Sequence, residues 1–317
     1  MKEIGGYFEL DQYKLTMLYE ESVLLNCGRN CLAYLIEARN IKKIHLPYFI
    51  CDSVIEVCRK YNIDVSFYNI SCKFIPTQMD IKEDEWLYVV NYYGLLNEKV
   101  QREIVNNHRN VIIDNSQAYF SNPIEHVDTI YVCRKYFGVA DGAILCTDSV
   151  IPRKLEKDKS YNRVHFVLGR FEGNASDFFS EAKTNNDFFK DEPIKEMSKL
   201  TYNMLHAIDY NKVKDVRTKN WAVLNAGLEK INRLNLENIK GGYMFPLMLR
   251  NANMVRKKLI EKKIYIPILW PDVLERMPAK SVEHQLAQEI LPLPCDQRYD
   301  ENDMMYIIKE INKILGL

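Results

Sequence analysis

Through the first half of the chain, short β-branched and aromatic runs alternate with stretches whose apolar residues recur every three or four positions. Ile44-His45-Leu46-Pro47, Asp64 to Tyr68, Trp86 to Val90, Val111 to Ile113, Val127 to Val132 and Ala143 to Thr147 read as strands. Between them, Cys31, Leu32, Leu35 and Ile36 mark one helix, and Val54, Ile55, Val57, Cys58 and Tyr61 a second, with Asp52 placed to cap it. Val100, Ile104 and Val105 mark a third. Strands alternating with helices predict an α/β fold of three layers, a mostly parallel sheet with helices on both faces. Such sheets hold ligands outside the carboxyl ends of their strands. Here those ends collect Phe49, Tyr93, Asp114 and Lys135.

From about Ile151 to Lys199 the pattern loosens, and the charge run from Pro152 to Lys159 reads as a solvated helix face or loop. Helical periodicity returns from Met197 to Leu228, and Gly241-Gly242 opens a segment of different character. Tyr243 to Leu249 reads as a strand, Met254 to Ile260 as a helix and Ile264 to Leu269 as a strand. Leu286 to Leu293 is a helix running into a strand, and Met304 to Ile314 closes the chain as a helix. The expected organisation is a large domain over 1–235, with 1–25 as an aromatic N-terminal arm, and a smaller C-terminal α/β domain over 236–317.

Composition narrows the function classes. At 317 residues and 47% hydrophobic, the chain has material for about two packed domains. Lys plus Arg and Asp plus Glu stand at 43 each, so no overall field draws the protein to nucleic acid or an anionic membrane. No apolar run approaches the roughly 18 residues of a membrane span, and Met1 to Gly6 lacks a basic-then-apolar leader, so a cytoplasmic protein is expected. The eight cysteines sit mostly inside apolar patterns and read as reduced core residues; their spacing offers no metal site.

The chemistry concentrates in two places. Val111-Ile112-Ile113 delivers Asp114 at a strand end, and the next strand ends at Cys133-Arg134-Lys135. An acid and a lysine ending neighbouring strands suit pyridoxal phosphate: the lysine bonds its aldehyde, and the carboxylate keeps the pyridine nitrogen protonated. Upstream, Asn26-Cys27-Gly28-Arg29-Asn30 opens a helix with a glycine and a cation in its first turn, a natural seat for a phosphate. Each signal alone also has a plain reading, a turn aspartate with a surface lysine in one case and an ordinary N-cap in the other.

These signals occur together with Leu46-Pro47-Tyr48-Phe49 after a strand, Tyr93-Gly94, Ile113-Asp114-Asn115-Ser116-Gln117, the segment from Arg134-Lys135 to Asp141-Gly142-Ala143, and the closing run Ala287 to Pro294. In that order they resemble the DegT/StrS-type (DegT/DnrJ/EryC/StrS) sugar aminotransferases, fold type I pyridoxal-phosphate enzymes that mostly act on nucleotide-linked keto sugars. The resemblance runs from Gly28 to the C-terminus. It implies Lys135 as the Schiff-base lysine and proton carrier, Asp114 as partner of the pyridine nitrogen, and Gln117 on the phenolic oxygen. It further implies Phe49 or Tyr48 stacked on the ring, and Gly28, Arg29 and Asn30 around the phosphate.

The implied activity moves an amino group from an amino acid donor such as glutamate to a keto sugar, in surface-polysaccharide or modified-sugar biosynthesis, by a homodimer. Family members that dehydrate sugars carry histidine in place of the lysine, so Lys135 argues against that outcome; a non-catalytic or amino-acid-directed relative is the other alternative. The chain departs from the family in two places. Val132-Cys133-Arg134 stands where many members place a phosphate-binding serine, and no counterpart of their Asn-x-Arg segment lies between Glu172 and Tyr202. Arg29, Arg134 and the stretch from Arg153 to Arg163 are the cations available to a substrate diphosphate.

Overall fold

A computed structural model describes residues 4–77 and 79–317; Met1 to Glu3, part of the segment read as lacking a leader, lie outside it. The parallel half of the main sheet is made by β2 (Lys43–Pro47), β3 (Asp64–Tyr68), β4 (Trp86–Val90), β5 (Val111–Asp114) and β6 (Asp128–Val132). β7 (Ala143–Cys146) follows, and β1 (Val23–Leu25) comes from the N-terminal segment. With the two-residue strands β8 (Glu156–Lys157) and β9 (Lys195–Glu196), they form a nine-stranded sheet in the order β3-β2-β4-β5-β6-β7-β1-β9-β8. The β4 and β5 sequences, Trp-Leu-Tyr-Val-Val and Val-Ile-Ile-Asp, are apolar on both faces, and all of β5 is buried, as a central parallel strand requires. The mostly parallel three-layer sheet read from the sequence is the observed one.

Direction reverses after β6. β7 runs antiparallel to β6, with Val132 opposite Ala143, and β1 runs antiparallel to β7, with Leu25 opposite Ala143. Two reversals bring the end of β1 to the same edge as the ends of β5 and β6. Helix α1 (Gly28–Arg39) therefore starts at the edge where Asp114 and Lys135 lie, and it packs on β6 and β7. A side chain at Gly28 would bring its Cβ to 2.8 Å from Val132 Cγ2, so glycine permits this approach.

Helices α2 (Asp52–Lys60) and α3 (Glu98–Asn107) complete the crossovers between parallel strands. Past β7 the chain forms α4 (His165–Glu172) and α5 (Phe179–Phe188), then α6 (Lys199–Leu205) and α7 (Tyr210–Leu228). The remainder is β10 (Met244–Met248), α8 (Ala252–Glu261), α9 (Pro271–Arg276), α10 (Val282–Glu289), β11 (Ile290–Pro294) and α11 (Glu301–Leu315). β10 and β11 pair antiparallel as a second sheet; α7 packs on β10 and α8 on β11, and α11 packs on both helices.

Four local expectations change. Ile264 to Leu269 buries Ile264 and Ile266 and exposes Tyr265, Pro267 and Ile268, but pairs with no strand among the described residues; Pro267 has no N–H to give a ladder. Asp52 lies in the first turn of α2, behind Cys51 at the N-cap, and its carboxylate meets Arg276 at 3.0 Å. α1 also begins at a cysteine, Cys27, with no side-chain cap among the described residues. The helical run from Met197 breaks at 206–209, where Asp209 accepts a hydrogen bond from Lys212 N and starts α7.

At the opposite edge of the sheet, Glu85 precedes β4. His45 Nε2 donates to Glu85 Oε2 at 2.7 Å and Lys43 Nζ lies 3.1 Å away, and these partners hold the Glu85 carboxyl down to about 2, against its ordinary 4.5. A carboxyl depressed on folding stabilises above its ordinary pKa and loses that contribution as pH falls through the folded value. Glu85→Gln is therefore expected to destabilise at neutral pH, with the gap from the wild type narrowing as pH drops from 4.5 to about 2 in urea titrations. A gap that stays constant over that range would show that the carboxylate charge contributes nothing.

Candidate active site

β5 ends on Asp114, which is 8% exposed. Tyr88 OH, from β4, donates to Asp114 Oδ2 at 2.9 Å, and Ser116 N donates to Oδ1 at 2.8 Å. Burial first, and then the charge of Asp114, push the Tyr88 phenol well above its ordinary range, so it stays a donor. No cation pairs with Asp114 among the described residues.

The turn after Ser116 is held from β4's side. Tyr93 N donates to Gln117 Oε1 at 2.9 Å, which orients the buried amide and leaves Nε2 with no protein acceptor among the described residues. Tyr93 adopts φ 56°, a left-handed conformation that costs a non-glycine residue about 1 kcal/mol or more, and this contact is part of what the strain secures. Asn91 Nδ2 donates to Asn115 Oδ1 at 3.0 Å, pinning the same loop.

Lys135 ends a single helical turn after β6. Its residue is exposed, and Nζ donates to Ser116 Oγ at 2.8 Å. One serine thus joins the lysine to the aspartate, its hydroxyl on one and its backbone on the other. Tyr243, at the start of the C-terminal sheet, sets its ring 5.8 Å from Lys135 Nζ, and burial pushes its phenol up to about 12. Sequence reading missed Ser116, Tyr88 and Tyr243. Ser116 sat inside a quoted motif, whereas Tyr88 and Tyr243 looked like plain strand residues.

The remaining residues named from the sequence separate into two groups. Phe49 is fully buried among Phe74, Tyr92 and Trp270, with ring centroids 4.4 Å apart in the Phe49–Trp270 pair; this places it in the core between the main sheet and the C-terminal elements. Tyr48 is half-buried and stacks on Phe67, centroids 5.1 Å apart. Asn30 Nδ2 donates to Asn26 Oδ1 at 2.7 Å and to Pro193 O at 2.8 Å, and its backbone N–H donates to Cys27 O, so Asn30 buttresses the turn with its donors already used. Gly28 and Arg29 keep backbone N–H groups with no partner among the described residues. Of the other cations, Arg153 is paired with Glu37 and Arg163 with Asp158.

A flat aromatic cation with a phosphate and a phenolic oxygen fits these groups. Asp114 lacks a cation, Gln117 Nε2 lacks an acceptor, and the start of α1 offers N–H groups to an anion. The donors and acceptor of that set sit at one edge of the sheet, with Lys135 among them.

A scan of family models finds no match, and a search of curated proteins by sequence finds none either. Solved structures match by fold. PseC of Helicobacter pylori, an aminotransferase involved in the biosynthesis of pseudoaminic acid, superposes with a TM-score of 0.65 at 12% identity, over 97% of this chain and 93% of its own. A DegT DnrJ EryC1 StrS aminotransferase from Brucella abortus gives 0.63 at 14% identity, over 93% and 86%. The sugar aminotransferase CalS13 from Micromonospora echinospora gives 0.60 at 16% identity, over 92% and 86%. The chain has the fold of these proteins, which agrees with the resemblance read from its motifs.

Arg217 binds the C-terminal elements to the lysine turn. It is 1% exposed and donates from Nη1 to Gly242 O at 2.9 Å, from Nη2 to Tyr136 O at 3.3 Å and from Nε to Gln297 Oε1 at 2.7 Å. Gln297 Nε2 returns a bond to Tyr136 O at 2.7 Å. Arg217→Leu would orphan these buried acceptors, so a loss of about 3 kcal/mol or more is expected by chemical denaturation, with faster amide exchange over 134–142. Unchanged exchange in that segment would show that the grip does not order the lysine turn.

Proposed function

We propose that this chain is a pyridoxal-phosphate-dependent aminotransferase that transfers an amino group from an amino acid, glutamate in the first instance, to a nucleotide-linked keto sugar. The observation that carries the reading is the chain of contacts from Lys135 Nζ through Ser116 to Asp114, at the sheet edge where α1 begins. When bound, pyridoxal phosphate supplies an aldehyde for the lysine and a ring that draws electron density from the substrate carbon. Asp114 accepts from the protonated pyridine nitrogen, the cation its burial leaves it without. Gln117 Nε2 donates to the phenolic oxygen. With the cofactor bound, Lys135 Nζ would take the proton from the substrate carbon and return it, as base and then acid.

The same reading makes the protein a cytoplasmic homodimer, with a cofactor-binding unit to about residue 235 and a smaller unit from 236. No helix among the described residues is long and apolar enough to cross a membrane. Ile4, Tyr7 and Phe8 are almost fully exposed, while the following Asp11 to Leu15 are tied by hydrogen bonds to Asn203 and His206. An anchored arm that carries bare aromatics suits burial against a second copy. Light scattering at micromolar concentration is expected to give twice the chain mass; an active monomer would refute the dimer.

The catalytic assignment is tested on protein reconstituted with the cofactor. Borohydride reduction and peptide mapping are expected to place the adduct on Lys135, and glutamate with a panel of nucleotide-linked 4-keto and 3-keto sugars is expected to give an amino sugar by mass. Asp114→Asn and Asp114→Ala should retain cofactor and lose about 100-fold or more in turnover. An adduct on another lysine overturns the site; cofactor held without amino transfer from any donor favours the non-catalytic relative.

A further inference from the structure

Arg29 and Arg134 flank the uncapped start of α1, and neither has a carboxylate partner among the described residues. Each keeps its Nε shut off from solvent with no acceptor. Arg134 is held from behind: its guanidinium lies 4.7 Å over the Phe189 ring, and Nη2 donates to Asn186 Oδ1 at 3.3 Å. Burial, and after it the charges of Arg29 and Arg163, push the Arg134 guanidinium below its ordinary range, with the Cys27 and Asp141 groups acting the other way. The nearby carboxylate, Asp141, is engaged by Ser198 N and Oγ and by Thr201 Oγ1.

Two like charges side by side at the positive end of a helix repel one another, and burying unpaired donors adds to that cost. A phosphate dianion placed there removes both penalties: it accepts the Gly28 and Arg29 backbone N–H groups and pairs with both guanidiniums. We propose that Arg134, the residue before Lys135, together with Arg29 and the N-terminus of α1, is the anion clamp for the cofactor's phosphate, in the place where Asn30 was expected and where this chain lacks a serine. The proposal rests on the cofactor reading above. It assigns Arg134 to the phosphate of the cofactor and away from the diphosphate of the substrate.

The test compares wild type with Arg134→Met, Arg134→Lys and Arg29→Met, using pyridoxal phosphate, phosphate-free pyridoxal, inorganic phosphate and UDP as probes on cofactor-free protein. Arg134→Met is expected to weaken pyridoxal phosphate and inorganic phosphate by about 10- to 100-fold, the range of one or two charge-assisted bonds, and to leave pyridoxal unchanged. Arg134→Lys should recover part of the loss. Arg29→Met, at a side chain with no protein partner among the described residues, gives the same reading should Arg134→Met fold poorly. Unchanged selectivity for the phosphorylated form in both Met variants overturns the clamp, as does a loss confined to UDP. If wild type forms no adduct at Lys135 with either pyridoxal, the cofactor reading fails, and inorganic phosphate then decides the anion site alone: binding lost in the variants upholds it, and no binding in wild type overturns it.

Discussion

A buried carboxyl paired with no cation among the described residues is the constraint around which this molecule is arranged. Asp114 ends the most buried strand of the sheet, and its two recorded protein donors are a phenol and a backbone N–H. These neutral donors orient the carboxyl and leave it without a counter-charge among the described residues. The surroundings match that need: tyrosines that burial keeps protonated, an amide turned donor-outward by a strained Tyr93, and a lysine one serine away.

Two seams fix the distance between this carboxyl and the elements that close over it. In the first, Phe49 and Tyr92 of the main sheet side meet Trp270, while Arg276 Nη2 donates to Ile50 O and Nη1 pairs with Asp52. In the second, Arg217 and Gln297 hold the carbonyl of Tyr136, the residue after the lysine. Both seams join the loops at strand ends to the C-terminal elements, the first through buried rings and the exposed Arg276, the second through the buried Arg217. A shift of those elements would therefore move the lysine turn and the β2 loop together.

Most of the fold was legible because its central parallel strands, β4 to β6, are short, apolar and buried, and the helices α2 and α3 have clear apolar stripes. What escaped has physical reasons. β1 is three residues long and adjoins a polar arm, so it carries no periodicity of its own. Ile264 to Leu269 is a short apolar run of the kind that reads as a strand, yet apolar content reports burial and not pairing. Within the site, Asp114, Gln117 and Lys135 were readable because motif order fixes them near strand ends. The fate of Phe49 and Asn30 depends on Trp270 and Pro193, partners distant in sequence, and no local pattern contains that information. Arg134 read as a cation for a substrate diphosphate, and its backing by Asn186 on α5 and by Phe189 just past it is equally distant in sequence.

The position of β1 bears on how the protein is made. Leu25 pairs with Ala143 on one side and Glu196 on the other, so the strand that aims α1 at the site is synthesised well before either of its partners. The parallel half, β2 to β6, joins neighbours close in sequence and can assemble while the remainder is still being synthesised. α1 packs on β6 and β7, so its direction depends on strands that follow it in the chain. On the proposed clamp, a chain interrupted before residue 196 would carry Asp114 and Lys135 but lack the last strand that pairs with β1 and so helps aim α1.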